Sequence, residues 1–148
     1  MALSLILGAS SAWPGPLSGC YERSYNAGHL AAHQGQRVRK VILALTALRG
    51  HEPWVASFSL ELALRGRKGL ASLSGDCTKD GNSLSCAGDC DTGAFHLARA
   101  PHGKLLLTIS GRLLLQRNGC DEENYEELTQ DEENTSLLLG RAKPPVCK

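Results

Sequence analysis

Residues 57–65 (SFSLELALR) alternate apolar and mostly polar side chains with a period of two, and this is the most restrictive pattern in the chain. Phe58, Leu60, Leu62 and Leu64 fall on one side of the alternation. Successive side chains of a β-strand point to opposite faces, so the pattern predicts a strand with one buried face.

Shorter apolar runs recur along the chain, separated by residues that favour turns. We predict further strands over residues 37–46, 70–77, 93–99, 104–110, 112–117 and 136–142. Val38 is out of phase within its run, which predicts a bulge or a late strand start. Asp80-Gly81 and Gly111 are placed in hairpin turns. Regularly spaced short strands predict a mainly β fold, either an antiparallel β-sandwich or a small barrel.

One short helix is predicted near the N-terminus, over residues 25–36, with Asn26 as its N-cap and Gly35 as its stop. His29 and His33 lie four residues apart on this helix, but no glutamate follows His29 as in a metalloprotease motif, so exposed helix histidines are the favoured interpretation. The 148 residues, 42% of them hydrophobic, leave room for one domain. We assign it to residues 20–148.

The first residues indicate export. Residues 1–12 (MALSLILGASSA) resemble the apolar core and small-residue cleavage site of a secretory signal that lacks its basic start. We interpret residues 1–19 as a clipped or weak signal segment with a linker, and we expect a secreted or periplasmic protein. An alternative is a lipoprotein anchored through Cys20, because Leu17-Ser18-Gly19-Cys20 resembles a lipobox. The apolar run is too short to span a bilayer, so no transmembrane segment is predicted.

Six cysteines are spread from near the start of the predicted domain almost to the last residue. In an oxidising compartment they predict three disulfides that tie both ends of the chain to its body. Cys77 and Cys86 flank the hairpin at Asp80-Gly81, but six cysteines allow 15 connectivities, and the pairing stays open. The candidates are Cys20, Cys77, Cys86, Cys90, Cys120 and Cys147.

Cys77, Cys86, Cys90 and His96 form a weaker alternative, a zinc site. Their spacing departs from the paired cysteine knuckles of structural zinc sites. Cys86 or Cys90 with His96 is the corresponding alternative for a secreted Cys/His enzyme. An even number of cysteines also leaves no spare thiol for nucleophilic catalysis. We therefore predict no catalytic residues and no cofactor, and lean away from an enzyme.

The formal net charge of +1 makes nucleic acid a poor candidate partner. Charge is nevertheless unevenly distributed, because eight of the thirteen residues 121–133 are acidic, whereas basic residues outnumber acidic ones by eight to three before Leu73. We interpret residues 121–133 as a solvated loop with one helical turn around residues 125–128, and a partner-docking edge is the alternative. Trp54 is the candidate surface anchor.

The ordered cysteines, with a few aromatic, histidine and glycine residues between them, resemble a group of small uncharacterised secreted bacterial proteins. The matching positions are Cys20-Tyr21, Tyr25, His29-Leu30, His33, Gln36-Arg37-Val38, Gly75-Asp76-Cys77, Cys86, Cys90-Asp91, Gly93, Phe95, Cys120, Arg141 and Cys147. The resemblance implies an exported β-rich domain with bonded cysteines and brings no catalytic residues. We expect a non-catalytic module that binds a protein or surface partner.

Overall fold

The computed structural model describes residues 18–116, 125–129 and 135–147. These form nine β-strands and one α-helix. In chain order they are β1 (Gly19–Ser24), α1 (Ala27–Ala32), β2 (Val38–Ala47), β3 (Trp54–Leu64), β4 (Ala71–Asp80), β5 (Ser83–Gly88), β6 (Gly93–Ala100), β7 (Lys104–Gln116), β8 (Tyr125–Thr129) and β9 (Ser136–Arg141). The mainly β prediction is confirmed.

Eight of the strands close into an antiparallel barrel. Strands β1 to β7 follow one another around the ring, and β9 closes it by pairing with β7 on one side and β1 on the other. Strand β8 lies outside the ring and pairs with the last residues of β7. Of the two architectures expected from the sequence, the barrel is the one observed.

The barrel interior is filled with apolar side chains from every strand of the ring. Phe58 and Phe95 meet edge to face at its centre, with ring centroids 4.8 Å apart. An eight-stranded barrel is about wide enough for its own side chains to fill, and leucines supply most of the remaining volume. The leucines that are at most 2% exposed are Leu43, Leu60, Leu62, Leu64, Leu84, Leu97, Leu105, Leu107, Leu113, Leu115, Leu128, Leu137 and Leu139.

Several local predictions are confirmed. The period-two residues of β3 are all buried, as are Phe95 and Leu97 of β6. The register between β2 and β3 shifts between Val38 and Lys40, which is the bulge that the phase of Val38 predicts. Asn26 caps α1 by accepting a hydrogen bond from the His29 amide at 2.8 Å, although the helix ends at Ala32 rather than near Gly35.

The predicted hairpin at Gly111 is wrong, because residues 104–116 form one continuous strand. Gly111 adopts a φ of 80°, and the register against β6 skips two residues between Ser110 and Leu113. The glycine that suggested a turn instead adopts a positive φ that allows β7 to bulge. Residues before the bulge pair with β6 and β9. Residues after it pair with β8 on one side and, at Leu113 and Gln116, with β6 and β4 on the other.

The predicted helical turn around residues 125–128 is also wrong, because these residues belong to β8. Glu126 and Leu128 point inward and are buried, whereas Tyr125 is exposed. A strand forms here because β7 offers a free edge beyond its bulge and buries Leu128 beside Leu113. The other acidic residues of 121–133, apart from Glu127, lie outside the described part of the chain.

Two disulfides are described. Cys20–Cys147 joins the start of β1 to the C-terminal 3-10 helix across a sequence separation of 127 residues. Cys77–Cys86 crosses the β4–β5 hairpin inside the barrel, with both cysteines fully buried. Cys90 is also disulfide-bonded, and the sixth cysteine, Cys120, lies outside the described residues. The expected disulfide stabilisation is therefore present, and one bridge ties the two ends of the chain to each other.

Comparing Gly93→Ala with Gly111→Ala should distinguish the cost of a steric collision with the neighbouring backbone from the cost of a positive φ alone. Gly93 has a φ of 114°, and a Cβ there would collide with the carbonyl oxygen of Arg112. Gly111 has a φ of 80° with open space around it. We expect losses of unfolding free energy of about 3 kcal/mol for Gly93→Ala and about 1 kcal/mol for Gly111→Ala in urea denaturation. Equal losses would contradict the close β6–β7 approach.

Candidate functional site at the arginine-rich end of the barrel

One end of the barrel carries most of the polar interactions outside the strand ladders. Strands β1 and β3 end there, at Ser24 and Leu64, and β2 begins there at Val38. Helix α1 and strand β8 flank this end. We call its five arginines, namely Arg23, Arg37, Arg39, Arg65 and Arg67, the arginine end.

Arg65 fixes helix α1 and the segment after it to the barrel. Its side chain donates hydrogen bonds to the carbonyl oxygens of Leu30, of His33 at 2.8 Å and of Gln36 at 2.6 Å. Some of these carbonyls lie at the C-terminal end of the helix, where they accept no hydrogen bond from the helix itself. The sequence places Arg65 at a strand end next to a turn, and nothing in that pattern reveals its three carbonyl partners.

Planar side chains form a continuous stack on this end. The Arg23 guanidinium lies 5.0 Å from the centroid of the Tyr25 ring. The Tyr25 ring is 4.8 Å from the His29 ring, which stacks on His33 at 4.3 Å. His29 Nε2 donates to Gln36 Oε1 at 2.8 Å, because the Gln36 amide nitrogen already donates to the Val38 carbonyl. Gln36 is 4% exposed, so this network anchors the stack to the barrel interior.

The environment of Tyr25 changes its acidity. Partial burial against the core raises the pKa of its hydroxyl above the ordinary value, and the nearby Arg23 charge opposes this by lowering it. Burial is the larger of the two effects. The hydroxyl therefore stays protonated at physiological pH.

Glu126 of β8 is held by two arginines of this end. Its Oε2 accepts a hydrogen bond from Arg37 at 2.9 Å, and its Oε1 pairs with Arg67. Arg37 also donates to the main-chain carbonyl of Glu127 at 2.6 Å. The Glu126 side chain is 7% exposed, so two charged donors compensate the cost of burying its carboxylate. The arginine end thus already binds an acidic strand.

The other three arginines contact neutral groups. Arg39 donates to the carbonyl of Leu64 at 3.2 Å and to that of Arg67 at 3.5 Å. Arg65 donates only to carbonyls, and Arg23 contacts the Tyr25 ring. Within residues 18–116, 125–129 and 135–147, no carboxylate pairs with any of these three guanidinium groups.

The structure separates the residues of the alternative zinc or Cys/His site. Cys77 and Cys86 form a disulfide in the barrel interior. His96 lies between the inward-pointing Phe95 and Leu97 and therefore faces outward. Cys90 is exposed and disulfide-bonded. Three of the four proposed ligands thus have no free thiol, and the fourth faces away from the buried pair.

The histidine pair of α1 is brought together as a stack rather than as a chelate. The two rings are inclined by only 26°, so their in-plane lone pairs lie in two nearly parallel, stacked planes and do not converge on one ion. Over the described parts of the chain, no group of three or more His, Cys, Asp or Glu residues is arranged to hold a metal ion.

Two further sequence candidates lie at the opposite end of the barrel. Trp54 begins β3 there and is 47% exposed, which agrees with its prediction as a surface residue. Cys20 of the lipobox alternative lies near the start of β1, where its sulfur is bonded to Cys147. A thioether to lipid at Cys20 is incompatible with that bond.

The described residues contain no helix that is both long enough and apolar enough to cross a membrane.

Comparisons of the chain with protein-family models, with curated proteins and with solved structures find no match.

Glu126→Gln should destabilise the fold by about 1–3 kcal/mol, because it leaves Arg37 and Arg67 facing a neutral amide in a buried setting. Glu127→Gln is the matched control, since the Glu127 pair with Arg112 is long, at 3.7 Å, and well exposed. We expect the control to cost less than about 0.5 kcal/mol. Urea denaturation of both variants makes the comparison, and a Glu126→Gln protein as stable as the control would contradict a structural role for the ion pairs.

Tyr25→Phe should remove from the ultraviolet titration a phenol ionisation whose pKa lies above the ordinary tyrosine value of 10.0. The folded state holds this proton more tightly than the unfolded chain. Its contribution to stability is therefore complete below the unfolded pKa and is lost as pH rises through the folded pKa. The stability advantage of the wild type over Tyr25→Phe should shrink as pH rises above the ordinary tyrosine value of 10.0. An advantage that does not change as pH rises through this region would contradict the raised pKa.

Proposed function

We propose that this chain is an exported, disulfide-stabilised β-barrel module of the periplasm or extracellular space that acts by binding a partner through its surface. The observation that supports this proposal most directly is the oxidised state of the cysteines. Every cysteine among the described residues is disulfide-bonded, including the pair that joins the two ends of the chain. Such bonds are typical of oxidising compartments outside the cytosol.

The disulfides also suit a small exported domain. Cys20–Cys147 constrains nearly the whole chain, and long closed loops lose the most unfolded-state entropy. Cys77–Cys86 adds a covalent link inside the core. The signal-like residues 1–12 agree with this compartment but lie outside the described residues.

The filled interior supports binding at the outer surface. Buried leucines and phenylalanines from all sides occupy the axis of the barrel, where barrels of other proteins hold a small ligand. The surface feature with the most concentrated chemistry is the arginine end, with its stack of rings and its exposed guanidinium groups. Binding there requires no catalytic residue.

Peptide mapping of the exported protein without reduction, after alkylation of free thiols, tests the proposal. We expect Cys20–Cys147 and Cys77–Cys86, and by elimination Cys90–Cys120. The mapped N-terminus should fall near residue 12, as signal cleavage would leave it. The same sample should contain no alkylated cysteine.

Free thiols at Cys77, Cys86 and Cys90 with an equimolar metal ion would overturn the proposal in favour of a metal-binding protein. A lipid-sized mass on Cys20 would overturn it in favour of a lipoprotein. Recovery of reduced protein only from the cytosol would contradict export.

A further inference from the structure

We propose that the arginine end binds a carboxylate-rich segment of a partner protein, with Arg23 and Arg39 as its principal contacts. This inference rests on the proposed function, since it names the partner class of a module that acts by binding. Three observations carry it, namely the way this end holds β8, the state of its remaining arginines and their arrangement.

The contacts with β8 show which chemistry this end recognises. Arg37 binds both the carboxylate of Glu126 and the main-chain carbonyl of the next residue, Glu127. Arg67 takes the second carboxylate oxygen of Glu126. A side-chain carboxylate next to a main-chain carbonyl in extended conformation is a feature of an acidic peptide, and guanidinium groups fit it because their donors are arranged as a planar fork.

Arg23 and Arg39 extend this chemistry to exposed positions. Both residues are exposed. Arg39 is oriented by the carbonyls of Leu64 and Arg67, and Arg23 is oriented by the face of Tyr25. Neutral acceptors hold the guanidinium groups in place while leaving each positive charge uncompensated by any carboxylate of the described chain. Side chains ordered in this way lose little conformational entropy when they bind.

The two exposed arginines are neighbours in the sheet. Arg23 pairs with Val41 across β1 and β2, and the amide of Tyr25 donates to the carbonyl of Arg39 at 3.0 Å. Arg37 and Arg65 are also adjacent at this end, where the Arg65 amide donates a hydrogen bond to the Arg37 carbonyl at 2.8 Å. An extended segment lying along this end would therefore meet successive guanidinium groups.

A protein partner fits better than a long polyanion. The formal net charge of the chain is only +1, so there is little overall field to gather a nucleic acid or a sulfated polysaccharide. The attraction is confined to this end and falls off within about 10 Å at moderate salt. A short carboxylate-rich segment can lie entirely within the range of this local positive charge.

The test measures fluorescence anisotropy of a labelled ten-residue oligoglutamate peptide with the oxidised full chain at low salt. We expect saturable binding that Arg23→Gln/Arg39→Gln weakens about tenfold. The matched control is Arg49→Gln/Lys79→Gln, which removes the same charge at the opposite end of the barrel. The control should change the affinity less than about twofold.

The single variant Arg23→Gln keeps the test decisive if loss of the Arg39 hydrogen bonds impairs folding, because the contact that orients Arg23 is with the face of the Tyr25 ring. It should weaken binding about threefold while circular dichroism and thermal unfolding stay as in the wild type. Arg39→Lys should retain more affinity than Arg39→Gln, since it keeps the charge.

Three results would overturn the inference. One is the absence of oligoglutamate binding at low salt, and another is an equal loss in the matched control, which would show attraction by total charge. The third is tighter binding of single-stranded DNA or heparin of the same charge, which would identify a general polyanion surface. Thiol alkylation of the same sample separates the two proposals, because free thiols would overturn the proposed function, whereas an oxidised chain that binds no peptide overturns only the partner class.

Discussion

Closure of the barrel depends on β7 and its change of partners. Its first half pairs with β6 and β9, and after the bulge β8 takes the place of β9. Without the pairing between β7 and β9, these two strands would be left as open edges of an unclosed sheet. The bulge at Gly111 makes both roles compatible, because it redirects the strand where the ring ends. The filled interior, the position of β8 and the arginine end all follow from this geometry.

The two ends of the barrel are held together by different interactions. One end is secured covalently, where Cys147 is bonded to Cys20 beside β1. The other is secured by charged hydrogen bonds, with Arg65 fixing α1 and two arginines fixing Glu126. The guanidinium groups that stabilise the arginine end are also groups that can bind an anionic ligand, whereas the buried leucines of the interior serve stability. The arginine end therefore combines a structural role with the binding role proposed for it.

The sequence predicts those features that depend on local patterns. Alternation identifies β3, phase identifies the bulge at Val38, and side-chain type identifies the Asn26 cap. It fails where a local signal has two solutions, as at Gly111, where positive φ serves a bulge as well as a turn. It also fails where the cause is distant, since the buried charge of Glu126 is compensated by Arg37, which lies 89 residues earlier, and by Arg67. The carbonyl partners of Arg65 are equally invisible without the fold.

The most direct test of the closed barrel is a set of backbone nuclear Overhauser effects across its last seams. Antiparallel pairing brings the Hα protons of non-hydrogen-bonded pairs close together. The structure predicts cross-strand contacts between β6 and β7, between β7 and β9 and between β9 and β1, the last near Tyr21 and Arg141. Contacts at all three seams would establish the ring. Their absence between β9 and β1, with the other seams intact, would show an open sheet and contradict the account of a filled, closed barrel.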